Sequence, residues 1–184
     1  TPFVKTLPQN EIRSGFAEVI KHTLIADKKA WKDILKDDKL NKNNFENQSK
    51  STAKNEFWDK IVAHSVALKA HITESDPMEK GLRKILNFGH TIGHAIESYF
   101  IEENKKDTTI TVFLHGEAIA LGMIAESYFS AYLSKNSESN PNFNQTFISS
   151  TDFEEIKNYI STLFEDTIIE FRKAIKQENV AQNI

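Results

Sequence analysis

His90 and His94 stand four residues apart in RKILNFGHTIGHAIESYF (83–100), inside an otherwise apolar run. Residues four apart share one face of an α-helix, so the pair can chelate one cation, as in the zinc metalloprotease motif. The general base of that motif is missing, because no glutamate follows His90. The chain contains no cysteine, so any metal must be held by histidine and carboxylate, with a third ligand from elsewhere. Two candidates stand in unusual contexts. Glu18 lies in the apolar stretch SGFAEVIKH with Lys21 and His22 on its face, and His115 opens a helical pattern in LHGEAIALGM. Each has a plain alternative: a surface carboxylate paired with Lys21 or His22, and a capping histidine. His64 and His71, seven apart with Lys69 between them, read as structural or exposed.

The stretch around the two histidines carries further polar groups. Projected as one helix over 78–100, Glu79, Arg83, Asn87, His90 and His94 fall in a stripe roughly 80° wide. Leu82, Ile85, Leu86, Phe88, Ile92 and Ile96 occupy the rest of the surface. A solvated face usually mixes lysine and glutamate. Here a carboxylate, a guanidinium, an amide and two imidazoles are bordered by apolar groups, and burying them is costly unless they bind each other or a ligand. Gly89 and Gly93 each cost a helix about 1 kcal/mol against alanine, so they imply close backbone packing or the approach of a ligand. The alternative is a solvated amphipathic face whose histidines merely happen to repeat at helical spacing.

The elements that must hold these groups are helical by pattern. Leu7-Pro8-Gln9-Asn10-Glu11 marks a helix start, and the amphipathic run continues to about residue 26. A short helix over 29–35 follows, then a solvated connection, KDDKLNKNNFENQSKS (36–51). The next helix spans about 53–73, and Ser75-Asp76-Pro77 breaks it, because proline disfavours helical geometry in its predecessor. After the 78–100 helix, 101–111 reads as a loop or a marginal strand. A helix runs from His115 to about residue 133, SKNSESNPN is a loop, and Asp152 caps a final helix towards residue 176. No period-2 strand set and no repeat is found, so the expected fold class is all-α.

Bulk properties exclude several functions. With 184 residues the chain is long enough for one domain with a real core. A net charge of −3, with only three arginines (13, 83 and 172), argues against a nucleic-acid partner, which calls for a basic face. No apolar stretch approaches 18 residues and no signal-peptide pattern opens the chain, which points to the cytoplasm and to no membrane association.

Three blocks, LPQNEIRSGFAEVIKH, ESDPMEKGLRKILNFGHTIGHAIE and LHGEAIALGM, resemble the carboxyl-terminal helical domain of the 3-dehydroquinate synthase family, in the family's order. They span roughly the first two-thirds of the chain. The resemblance implies conversion of the sugar acid phosphate DAHP into 3-dehydroquinate with release of phosphate. This is a lyase step of the shikimate pathway towards chorismate and the aromatic amino acids, using NAD⁺ and a divalent metal (zinc, or cobalt). It also implies roles. Glu18, His90 and His115 match the protein metal ligands, and Lys21 and Arg83 match substrate-binding positions. Lys69, Glu79, Asn87 and His94 match catalytic positions, with Asn87 and His94 also touching substrate. On this reading only His90 of the i, i+4 pair holds metal.

Two departures qualify the match. The chain has no dinucleotide fingerprint, and the family's late lysine-rich segment is not recognisable before Ile184. The spacing from His90 to His115 is longer than usual, consistent with an inserted loop at 102–111. The chain is therefore read as a single helical metal- and substrate-binding domain, 1–184, of a longer two-domain enzyme whose amino-terminal α/β domain binds NAD⁺. By itself it is expected to be inactive, and the full-length protein is expected to form a homodimer. The alternatives are another sugar phosphate cyclase of the 2-deoxy-scyllo-inosose synthase type, a metal-dependent alcohol dehydrogenase relative, or a metal-binding helical module without catalysis.

Overall fold

The computed structural model describes residues 6–37, 40, 55–137 and 147–181, with the side chains of 55–57, 137 and 177–181 left undescribed. Among the described residues the fold is all-α, with no strand. Among these residues seven α-helices follow one another: α1 (Gln9–Ala26), α2 (Lys28–Lys36), α3 (Asn55–Ser75), α4 (His90–Lys106), α5 (His115–Ser137), α6 (Ser150–Leu163) and α7 (Glu165–Ala181). A 3-10 helix, Leu82–Asn87, stands between α3 and α4. Backbone contacts gather into two compact units, Thr1–Phe88 and Gly89–Ile184.

In the first unit α1 packs against α2, α3 and the 3-10 helix. Ile12, Phe16, Val19 and Ile20 repeat at helical spacing along α1 and are all buried, so one face of α1 forms the centre of this unit. Phe16 meets Trp58 of α3 edge to face, with ring centres 5.9 Å apart. The turn from α1 to α2 is set by Asp27, whose carboxylate accepts from the backbone N–H of Ala30 as an N-cap.

In the second unit α4, α5 and α6 pack in series, with α7 against α6. Phe100, Phe113 and Leu121 form a buried cluster against which Ile96 and Phe171 pack. The centres of the Phe100 and Phe113 rings lie 4.6 Å apart. Three glycines bring α4 and α5 together. A Cβ on Gly122 would stand 2.0 Å from the Gly89 carbonyl oxygen and 2.7 Å from the Gly93 nitrogen. At Gly93 it would meet the tip of the Ile119 side chain at 2.8 Å and the Ala118 carbonyl at 3.1 Å, so this position too is tightly packed. Gly89 also adopts φ +77°, a left-handed conformation that favours glycine. The close packing inferred from the glycines at 89 and 93 is therefore present.

Several boundaries differ from the sequence reading. The helix expected over 78–100 is two elements, because the chain turns at Glu79 (φ 52°) and at Gly89 (φ 77°). The Asp76 carboxylate also accepts the backbone N–H groups of Lys80, Gly81 and Arg83, holding a turn where a helix was expected. The five polar residues therefore do not form a stripe on one α-helix. The segment 101–111 is not a strand: α4 continues to Lys106, and Asn104 fastens the following turn by donating to the Ile110 carbonyl. The final helix is two, α6 and α7, and Ser149 rather than Asp152 is the N-cap. Asp152 is the third residue of that helix and completes a capping box with Ser149. Most of the connection 36–51 and of the loop SKNSESNPN lies outside the described residues.

Candidate functional site: an imidazole–carboxylate cluster and a cation-bearing helix face

In the second unit, His90 is the first residue of α4, His94 lies one turn later, and His115 is the first residue of α5. Tight packing of α4 on α5 brings the three rings together. Ring centres are 5.1 Å apart for His90 and His94, and 5.4 Å apart for His90–His115 and for His94–His115. Two imidazoles bound tetrahedrally to one cation, at roughly 2.0–2.1 Å per nitrogen, place their ring centres about 5 Å apart. The spacing of the His90 and His115 rings is therefore one that two imidazoles on a shared cation of zinc type would take.

A residue absent from the sequence reading lies among them. Glu97, one turn after His94, accepts hydrogen bonds on the same oxygen, Oε2, from Nδ1 of His94 and Nδ1 of His115, each 3.3 Å away. His94, Glu97 and His115 each offer a ligand atom within 4.8 Å of the others. Burial raises the Glu97 carboxyl, but the hydrogen bonds and charges of His115 and His94 outweigh this and hold it below the ordinary glutamate value. The carboxylate is thus ionised near neutral pH and acts only as an acceptor. Its position at i+3 from His94 is the one sequence signal that points to it.

The first end of α4 is held from α5. Both oxygens of Glu126 accept from α4, Oε2 from the N–H of Gly89 at 2.8 Å and Oε1 from that of Ile92 at 3.2 Å. Gly89 is the N-cap and has no side chain to do this. His90 is thereby fixed between two tethered backbone groups. Nothing in the sequence pairs residue 126 with residue 89, so this contact was not legible there.

In the first unit, Glu18, Lys21 and His22 share a face of α1. Lys21 donates to Glu18 at 2.7 Å, and Nε2 of His22 lies 3.8 Å from the same carboxylate oxygen. Lys21 is buried. Its burial, with Lys69 acting in the same direction, pushes the amine below the ordinary lysine value despite the opposing hydrogen bond and charge of Glu18. His22 is anchored on its other side by Ser65 of α3 at 2.7 Å. Glu79 links the remaining polar residues: Asn87 donates to its Oε1 at 3.0 Å, and the Arg83 Nε lies 3.9 Å from its Oε2. Arg83 also donates to the Pro77 carbonyl. The predicted residues Glu79, Arg83 and Asn87 thus form one group even though they are not on one α-helix. His64 and His71 are exposed, and His64 pairs with Asp27 at 3.0 Å, which fits the structural role expected for it.

The class so defined is an all-α protein with a tight cluster of ligand-capable imidazoles and a carboxylate in one unit, and buried or paired cationic side chains in the other. The family described as 3-dehydroquinate synthase C-terminal matches residues 15–176, and the chain belongs to that family. Among its relatives is a protein named 3-dehydroquinate synthase from Prochlorococcus marinus. The two are 41% identical over 122 residues, which is 66% of this chain and 29% of that protein. Proteins of the same name from Parabacteroides distasonis and Bacillus cereus are each 38% identical, over 70% and 73% of this chain and 31% and 33% of theirs. The chain thus spans about a third of the length of the curated relatives it matches. No helix among the described residues is long and apolar enough to cross a membrane.

Proposed function

We propose that this chain is the metal- and substrate-binding part of a 3-dehydroquinate synthase, acting on the sugar acid phosphate DAHP with release of phosphate. The observation that supports this most is the approach of the His90 and His115 rings, whose centres lie 5.4 Å apart, a spacing that fits a shared cation. In this reading His90 and His115 hold a divalent metal together with Glu18, and NAD⁺ is bound chiefly by a part of the enzyme outside this chain. When bound, the metal would polarise substrate hydroxyl oxygens as a Lewis acid.

The chain's own residues have distinct tasks. Arg83 offers the planar fork that suits a carboxylate or a phosphate, and Lys21 and Lys69 offer point charges. Lys21 starts from a buried position where its charged form is disfavoured, so an anionic substrate is welcome there. Asn87, already oriented by Glu79, positions a hydroxyl, and His94 holds or passes a proton at the substrate. The full-length enzyme is expected to work as a homodimer in the cytoplasm.

Two measurements on the full-length protein test the proposal. Supplied with DAHP, NAD⁺ and zinc, it should release phosphate and form 3-dehydroquinate; failure to do so rejects the activity. Glu18→Ala, His90→Ala and His115→Ala should each lose most of their zinc after parallel dialysis. His94→Ala should keep zinc with affinity reduced roughly 10–100-fold at most, while activity falls about 10²–10⁴-fold. Equal zinc loss in His90→Ala and His94→Ala would instead favour the i, i+4 chelate.

A further inference from the structure

We propose a second cation site: His94, Glu97 and His115, all within the second unit, form a three-ligand cradle for a divalent ion of zinc type, and filling it withdraws His115 from the metal of the function proposed above. The cradle does not rest on that function; only its effect on turnover does. Two imidazoles and one carboxylate are a donor set that zinc takes, with the fourth position left to water. Magnesium and calcium call for oxygen ligands instead. The spacing suits the same ion. Nδ1 of His94 and Nδ1 of His115 each stand 3.3 Å from one Glu97 oxygen, Oε2. Charge-assisted hydrogen bonds are shorter, about 2.7–2.9 Å. Donor atoms bound tetrahedrally to one ion, at roughly 2.0–2.2 Å each, lie about 3.3–3.6 Å apart. Both contacts therefore already have the separation of co-ligands.

The three residues each offer a ligand atom within 4.8 Å of the others. The ring centres of His94 and His115 are 5.4 Å apart, close to the separation of about 5 Å for two imidazoles on a shared ion. His94 and Glu97 lie one turn apart on α4, and His115 is the first residue of α5. The tight contact at Gly93, next to His94, and at Gly122 fixes the distance between those helices, so only side-chain rotation is needed to close on an ion. The Glu97 side chain is 24% exposed, against 57% for His94 and 44% for His115, so an ion held above the carboxylate can be reached from solvent. The plain reading is a surface ion pair, which is worth little. It is satisfied by His94 and Glu97 alone and does not call for a second ring, from another helix, on the same oxygen.

With two well-exposed rings the cradle exchanges its ion readily, so it is read at equilibrium rather than after dialysis. The test uses full-length protein carrying Glu18→Ala and His90→Ala, which removes two of the three ligands of the metal in the function proposed above. Zinc titration by chelator competition should still find a bound ion. Adding Glu97→Gln should weaken that binding by more than the roughly 10–100-fold that loss of a merely orienting partner causes. His94→Ala in the same background should do the same, and its exposed position protects the result against misfolding; far-ultraviolet circular dichroism checks each variant. No zinc bound in the Glu18→Ala, His90→Ala protein would overturn the proposal. So would zinc binding there that Glu97→Gln and His94→Ala leave unchanged. In the parent enzyme, excess zinc should arrest turnover of DAHP, and Glu97→Gln should raise the zinc concentration required. Turnover that persists with the cradle filled would overturn the competition for His115. A parent inactive at every zinc concentration rejects the proposed function instead, and the zinc titration still decides the cradle.

Discussion

Gly122→Ala is expected to be the most damaging small substitution in the α4–α5 pair. The added Cβ would lie 2.0 Å from the Gly89 carbonyl oxygen, 2.7 Å from the Gly93 nitrogen and 2.9 Å from the Gly89 carbonyl carbon. Cβ atoms are essentially never found closer than 3.0 Å to such neighbours, so the two backbones must part by about 1 Å. All three obstacles are main-chain atoms, and no rotamer change can relieve them. Overpacking of this kind costs about 1–3 kcal/mol, and the upper end applies where side chains cannot yield. A gap of about 0.5–1 Å also forfeits roughly a quarter to a half of each dispersion contact along the interface. Alanine returns about 1 kcal/mol of helix propensity to α5. The net expectation is a loss of about 2 kcal/mol. Urea denaturation followed by far-ultraviolet circular dichroism is the suitable assay, because Trp31 and Trp58, the only two tryptophans, both belong to the first unit. Gly15→Ala is the control. It lies inside α1 with nothing within 4 Å of its Cβ position, so it should gain up to about 1 kcal/mol. A Gly122→Ala protein as stable as its parent would refute the close-packing account of α4 and α5.

Two further outcomes are expected. Glu126→Ala removes the acceptor for two backbone N–H groups of α4 and should cost about 0.5–2 kcal/mol, as lost caps do; hydrogen exchange at Gly89 and Ile92 should quicken, and unchanged protection there would exclude the cap. Asp76→Asn should destabilise the turn before the 3-10 helix in a pH-dependent way. The N–H groups of Gly81, Lys80 and Arg83 hold the Asp76 carboxyl below its ordinary 3.8. Its stabilisation is therefore complete above that value and is lost as pH falls through the lower, folded value. The difference between parent and variant should vanish in acid, and a difference that persists unchanged there would contradict the assignment.

Much of the fold was legible because helices announce themselves locally. The apolar spacing of Ile12, Phe16 and Val19 defines α1 without tertiary information, and His115 with Gly116 marks the start of α5. The failures share a cause. The 78–100 projection assumed that a periodic pattern implies a continuous helix, yet Asp76 competes for backbone donors and Gly89 reverses the local geometry. Periodicity still grouped Glu79, Arg83 and Asn87 correctly, since residues about four apart also come near each other through a turn and a 3-10 helix. Sequence spacing singled out His90 and His94, and its place at a helix start beside Gly116 made His115 a candidate. Glu97 and Glu126 went unseen because their importance arises where two helices meet, and no local pattern encodes that meeting.

The Glu126 contact also bears on what the start of α4 can bind. The exposed N–H groups at a helix start are a common docking point for phosphate, drawn by the positive end of the macrodipole. At α4 that end is already satisfied by an anion the chain supplies itself. An incoming phosphate would meet like charge there rather than open donors. On the function proposed above, recognition of the substrate's anionic groups would fall instead to side chains such as Arg83, Lys21 and Lys69, whose reach and geometry can discriminate between a carboxylate and a phosphate in a way that a helix end cannot.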